Sequence, residues 1–324
     1  MKDADFQPIP GLKTPRFAEL ATFMRLPHVS GTDEKFGKVD IGIAGIPFDG
    51  GTSNRPGTRH GPRQLRDLST MIRTTHPRSN VNPFTLVNCA DLGDVPINPI
   101  DVMESLDLIS AFYTNLKSHN IVPLTAGGDH LISYPILRAI AAEKPVGMIH
   151  FDAHTDMNDS YFGGTKFTHG TPFRRAIEGG FLDPKRTIQI GIRGVKYDAT
   201  DFDWALEQGV RIIEIEEYFE RGLNDVMDEA RAIVGDDETY VSFDIDSIDP
   251  AFAPGTGTPE IGGFNTFDAQ QMVRKLAGLN LIGADLVEVS PPFDPSGGTA
   301  WVGVSLMFEL LCVLATSVNT RNGA

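Results

Sequence analysis

Cysteine is scarce: the 324 residues include two, Cys89 and Cys312. Both sit within apolar runs and offer no disulfide framework, which points to core thiols and a reducing, cytoplasmic setting. Positive charge is also short, with 28 Lys and Arg against 43 Asp and Glu and a net charge of −15. Nucleic acids and anionic membranes reward basic clusters, so neither is an expected partner. No apolar run reaches the ~18 residues that a membrane-spanning helix needs. The opening MKDADFQPIPGLKTPRF has no apolar core of the kind a secretory signal carries. There is no Gly-x-Gly-x-x-Gly after the first strand-like run and no phosphate-loop lysine, which leaves nucleotide binding without support. Repeats and low-complexity linkers are missing as well. What remains is 41% hydrophobic with mean hydropathy −0.12, the make-up of a soluble globular protein.

Residues 1–37 are irregular and contain proline, and read as a surface arm. From 38 to 324, strand and helix signals alternate without a break in composition, as in a single domain. Strands are expected at 39–45, 121–125, 146–151, 186–192, 210–215, 239–243 and 281–289, with a weaker one at 86–89. Helices are expected at 62–72, 99–117, 134–142, 172–178, 199–208, 223–234, 266–276 and 300–317. Such alternation implies a mostly parallel sheet of about eight strands with helices on both faces. Ligands of such sheets bind beyond the carboxyl ends of the strands.

Three polar clusters fall at such ends: Gly127-Gly128-Asp129-His130, Asp152-Ala153-His154-Thr155-Asp156 and Asp244-Ile245-Asp246. Glu288 ends a fourth strand. Alternation along an extended segment points Asp152, His154 and Asp156 one way, and Asp244 and Asp246 likewise. One Asp-x-Asp alone is more often a turn or cap. Three clusters at strand ends bring together more carboxylate than a core tolerates without a cation. A mixed His and carboxylate set suits Mn²⁺ and accepts Zn²⁺, Ni²⁺ or Co²⁺. Six ligands with four carboxylates exceed the needs of one ion and fit two, ~3.5–4 Å apart, which acidify the water between them. His150 lies inside its strand and reads as buried support. Asp129 reads as the group that orients His130, and Asp249 as the cap of the turn before Pro250.

GGDH, DAHTD and SFDIDSIDP in this order resemble the ureohydrolase family, the arginases and agmatinases, over nearly the whole chain from Val39 to the last helix. The resemblance implies a three-layer α/β/α fold, a centre of two Mn²⁺ per subunit with Ni²⁺ as the other option, and hydrolysis of a guanidino group to urea and an amine. By the same resemblance His130 and Asp156 hold one metal, His154 and Asp246 the other, and Asp152 and Asp244 bridge them. His169 resembles the histidine that moves protons at the mouth of the site, where a partly exposed imidazole titrates near neutrality. Glu288 resembles the carboxylate that pairs with the guanidinium, and Asp156 offers a second route for the proton to the leaving amine. A trimer or hexamer is implied too.

FDGGTSNRPGTRHGPRQLR and GTGTPEIGG resemble the agmatinase and guanidino-acid branch of the family more than true arginases, and PRFAELATFMRLPHV and the loop Asn158-Asp159-Ser160-Tyr161-Phe162 resemble the guanidinopropionases and guanidinobutyrases. Asn158 and Tyr161 are the expected contacts of the substrate tail, a bulky Tyr161 favouring 3-guanidinopropionate. Arg55, His60 and Arg73 are candidate partners for the tail carboxylate. 4-Guanidinobutyrate, agmatine or another guanidine compound is the alternative substrate. An amide hydrolase with one metal and a non-catalytic partner subunit are the competing classes.

Overall fold

A computed structural model describes residues 3–323; Met1 and Lys2 of the arm and Ala324 at the end lie outside the described residues. Eight strands form one sheet: β1 Ile41–Gly45, β2 Cys89–Asp94, β3 Val122–Ala126, β4 Val146–Phe151, β5 Leu182–Ile192, β6 Arg211–Glu214, β7 Thr239–Asp244 and β8 Leu281–Val287. Their order is β2-β1-β3-β8-β7-β4-β5-β6, and all neighbours run parallel. β1, β4 and β7 are buried at every residue, as strands covered on both faces must be. One face packs on helices Gly61–Ser69, Leu223–Val234, Thr266–Lys275 and Gly298–Gly323, through Leu65, Met227, Met272 and Val304. The other packs on Val102–Ser118, Ser133–Ile140, Pro172–Glu178 and Asp203–Gln208, through Ile109, Ile136, Phe173 and Ala205. The architecture is the expected three layers.

Boundaries depart from expectation at polar ends. Of the weak strand expected at 86–89, Cys89 alone lies in β2, which starts there and runs on through Asp91 to Asp94; Leu86 ends a helical turn, Pro83–Leu86, capped by Asn82. β6 stops at Glu214, and Ile215 opens a further helix to Arg221 whose acidic first turn, Glu216 and Glu217, suits its dipole. The last helix, Gly298–Gly323, is long and apolar enough by length and composition to cross a membrane, which a count of unbroken apolar runs does not bring out. In this fold it lies mostly buried, and its Glu309 pairs with His76 at 3.0 Å and with Arg274.

The irregular segment before β1 covers the sheet edge. Val29 donates to the Asp91 carbonyl and Asp91 to that of Pro27, at 2.9 and 3.0 Å, so β2 presents no open strand there. Phe6, Phe23 and Leu26 of the same segment are buried.

Candidate metal centre and substrate cavity

All four chain segments expected at the site meet at the carboxyl ends of β3, β4, β7 and β8. The Gly127-Gly128 pair explains how His130 gets there. A side chain on Gly128 would overlap the Phe48 carbonyl, and one on Gly127 would stand 2.6 Å from Val287 Cγ1. The bare backbone slips between these walls and is pinned by Asp129 N–H to Phe48 O, 2.8 Å, and by Glu288 N–H to Gly128 O, 2.9 Å. Two site residues, Asp156 and Glu288, hold left-handed backbone at φ 53° and 63°. A non-glycine residue there costs ~1–2 kcal/mol, and such strain gathers where a side chain must be aimed.

Three expected carboxylate ligands converge on the imidazole nitrogen of a fourth. His130 Nδ1 lies 3.1 Å from Asp152 Oδ2, 2.9 Å from Asp156 Oδ2 and 3.0 Å from Asp244 Oδ2, all buried. A second group forms beside it, with His154 Nδ1 3.1 Å from Asp246 Oδ2 and 3.5 Å from Asp152 Oδ1. Asp152 turns one oxygen to each histidine, as a bridge would. Asp244 turns Oδ2 to the first group only, its Oδ1 accepting from Asp246 N–H at 2.8 Å.

Hydrogen-bond logic fixes which atoms face the centre. Ser242 gives its one hydroxyl proton to Asp285 Oδ1, 2.7 Å, and its oxygen lies 2.8 Å from His130 Nε2. Nε2 must then be an N–H, which leaves Nδ1, facing three carboxylates, as the position that takes a second proton or a cation. The neighbours of Nδ1 at hydrogen-bond distance are those three carboxylate oxygens. Such an array of acceptors fits a cation. His150 is different. Gln189 Nε2 donates to the Thr155 carbonyl, 2.6 Å, and also meets His150 Nδ1 at 2.9 Å. The His150 proton is therefore on Nε2, 2.8 Å from Asp152 Oδ2. Although His130, His150 and Asp152 lie close enough to share an ion, His150 supports Asp152 from beneath.

Titration carries the same message. Burial alone would lower the His130 pKa, but Asp152, Asp156 and Asp244 outweigh it and raise it well above the usual histidine value. Burial likewise opposes the His154 rise that Asp246, Asp152 and Glu260 produce. Burial and then its carboxylate neighbours push Asp244 well up, and Asp246 to about 6. Burial would raise Asp152 too, but His150, His130 and His154 carry it well below. A pocket that draws protons this strongly draws a divalent cation for the same electrostatic reason.

A cavity of about 380 Å³ opens above this cluster. Glu288 reaches it with Oε1 committed, accepting from His130 N–H and His169 Nδ1 at 3.0 Å each. Oε2 is buried and has no partner among the described residues. His169 is 9% exposed rather than half-open, and burial is outweighed by its bond to Glu288, which takes its pKa up to about 9. The expectation of a partly exposed imidazole titrating near neutrality is corrected on both counts.

Asn158 and Tyr161 both line the cavity and are bonded to each other, amide to phenol oxygen, at 2.7 Å. Of the three cations considered for the tail, only Arg55 lines it, its guanidinium 3.7 Å above the Phe293 ring. His60 and Arg73 are exposed and do not line it.

Asp129 does not orient His130. Its carboxylate accepts from Gly51 N–H at 2.7 Å and Leu131 N–H at 3.0 Å, holding the loop. Asp249 caps its turn as expected, accepting from Ala251, Gly262 and Gly263 N–H. Sequence reasoning passed over Ser53, whose hydroxyl lies 2.7 Å from His169 Nε2; Lys196, in the cavity wall; and Glu260, 3.6 Å from His154 Nε2. The signal for Glu260 was present in GTGTPEIGG, but its reach to His154 is a matter of tertiary structure.

An eight-stranded parallel sheet with a His and Asp cluster at its carboxyl rim defines a metal-centre hydrolase of the α/β/α type. The chain belongs to the arginase family, whose model matches residues 39–312. It is 56% identical over 311 residues to a guanidinopropionase of Pseudomonas aeruginosa, 96% of each chain being covered. A guanidinobutyrase of the same organism is 50% identical over 309 residues, 95% of this chain and 96% of that one. Among solved structures, the proclavaminate amidinohydrolase of Streptomyces clavuligerus superposes with a TM-score of 0.88 at 38% identity, covering 94% of this chain and all of that one.

Proposed function

We propose that this protein hydrolyses a guanidino acid, 3-guanidinopropionate before 4-guanidinobutyrate, to urea and an amino acid. The observation that carries the reading is Glu288 Oε2, a buried carboxylate oxygen without a partner, beside an array of His and Asp acceptors. A planar cation with paired N–H donors is what such an oxygen binds. His130, Asp156, Asp152, Asp244, His154 and Asp246 would hold two divalent ions, Mn²⁺ or Ni²⁺ by donor type. When bound, these would acidify water and withdraw charge from the reacting carbon.

The chain's own groups do the rest. Glu288 holds the guanidinium and, through Oε1, keeps His169 in place. His169, whose bond to Glu288 takes its pKa up to about 9 in the metal-free protein, is placed to carry the proton that the departing amine needs. Ser53 serves both charge states of that ring: its hydroxyl accepts from Nε2–H when the ring is charged, and donates, with Ser53 N–H at 3.2 Å, when it is neutral. Asp156 is the second proton carrier of this scheme.

Arg55 is the proposed partner of the tail carboxylate. A side-chain carbon on Gly257 would stand 3.2 Å from the Arg55 carbonyl and 3.8 Å from Glu288 Oε2, so the two segments border one space. Arg55 also has no ion-pair partner among the described residues. Tyr161, bonded to Asn158, would shorten that space toward a three-carbon acid. The expected cytoplasmic location and the trimer or hexamer belong to the same reading, and light scattering on the purified protein tests the second. Exchanging Tyr161 for Ala tests the first-ranked substrate: 4-guanidinobutyrate should gain on 3-guanidinopropionate in urea release, and an unchanged ratio would remove Tyr161 from the account.

A further inference from the structure

A row of polar residues crosses the sheet beneath the site. Strand register sets Gln189 of β5 beside His150 of β4, His150 beside Ser242 of β7, Ser242 beside Asp285 of β8, and Asp285 beside Thr125 of β3. Register partners point to one face, and all five are fully buried. Asp285 accepts three hydroxyl bonds, from Ser242 at 2.7 Å, Ser133 at 2.7 Å and Tyr240 at 2.8 Å. Three hydroxyl donors have spent their protons on it, so it acts as an acceptor, with no Lys or Arg paired to it among the described residues. A core has little use for such a group unless something above it is fixed by it.

We propose that Asp285, acting through the Ser242 hydroxyl, is a positioning device for His130. It holds the Nε2 hydrogen down into the sheet and the Nδ1 lone pair up toward Asp152, Asp156 and Asp244. The chain of atoms is unambiguous in direction. Asp285 can only accept, so Ser242 donates to it; Ser242 can then only accept from His130. The other tautomer, with its hydrogen on Nδ1, would place an acceptor nitrogen against the Ser242 oxygen. Behind His154, the other histidine of the cluster, stands the partly exposed Glu260, 3.6 Å from Nε2. The buried relay therefore serves one half of the centre. This inference rests on the reading that the cluster binds two divalent ions, and the experiment separates the two.

Metal-free wild type, Ser242→Ala and Ser242→Thr are titrated with Mn²⁺ by calorimetry at neutral pH, with thermal melts of the metal-free forms as a check of folding. The expected result is two equivalents in wild type, one of which weakens in Ser242→Ala by about 10–100-fold, the usual effect of removing such a support, with recovery in Ser242→Thr. As a measurement that needs no variant, the Zn²⁺-loaded wild type should show a slowly exchanging Nε2–H of His130 in its nitrogen-edited proton spectrum. Equal Mn²⁺ affinities in wild type and a folded Ser242→Ala would overturn the relay while leaving the metal reading intact. Zn²⁺ on Nε2 of His130 would overturn it too. No Mn²⁺ binding by wild type would remove both.

Discussion

Exchanging Glu288 for Gln tests the substrate-binding half of the site. The side chain changes by one atom, yet the structure dictates where that atom goes. Oε1 accepts from His130 N–H and His169 Nδ1, at 3.0 Å each, so the remaining carbonyl oxygen of Gln must stay there. The amide nitrogen then takes the place of Oε2 and sets a donor against the donors of a guanidinium. A hydrogen bond to a charged group contributes about 1.5–3 kcal/mol, and the opposed donors place the loss toward the upper end. At about 1.4 kcal/mol per factor of ten, kcat/KM should fall roughly 100-fold. Folding should survive, because both intramolecular bonds and the buried volume are kept. The assay is steady-state urea release across substrate concentration, with metal content and melting temperature measured on the same preparation. A fall below about threefold with metal content intact would refute the assignment, since a charge-assisted contact of even ~1.5 kcal/mol gives more than tenfold.

Other outcomes follow from single contacts. Gly128→Ala would drive a methyl into the Phe48 carbonyl; overpacking against backbone costs about 1–3 kcal/mol or more, so the melting temperature and Mn²⁺ affinity should fall together, and an unchanged melt would show that the loop has room. Arg55→Ala should raise KM for a guanidino acid about tenfold, a charged hydrogen bond discounted for solvent, while leaving agmatine no worse; equal losses on both would deny Arg55 the tail. The His169 pKa is raised, so in the metal-free protein its pairing with Glu288 stabilises fully below the unfolded value of ~6.5 and is lost as pH rises through about 9. The melting gap between wild type and His169→Gln should thus be widest below that window and close above it; a gap that widens with pH would contradict the ion pair.

Much of this site was written where sequence can be read. DAHTD and DID carry their ligands within a few residues of a strand end, so sequence groups Asp152 with His154 and Asp246 with Asp244; the expected extended alternation is replaced by turns, in which Asp152 accepts from His154 N–H and Asp244 from Asp246 N–H. Strand ends were legible because β4 and β7 are fully buried and read as apolar runs. What could not be read depends on register. Ser242 and Asp285 stand 43 residues apart along the chain, inside strands, and look like ordinary breaks in apolar runs; only the pairing of β7 with β8 puts them side by side. Asp129 drew attention because it precedes His130, yet neighbours in sequence point apart, and its carboxylate turns to Gly51. The helix from Ile215 was lost because one more isoleucine lengthened an apparent strand. Arg55, His60 and Arg73 were equal on paper, and only the course of the loop over Phe293 separates them.

The central claim is the substrate. Urea release by the Mn²⁺-loaded wild type on 3-guanidinopropionate, 4-guanidinobutyrate, agmatine and arginine, compared as kcat/KM, tests it most directly. The account predicts the two guanidino acids first, 3-guanidinopropionate ahead; agmatine ahead of both by orders of magnitude would contradict it.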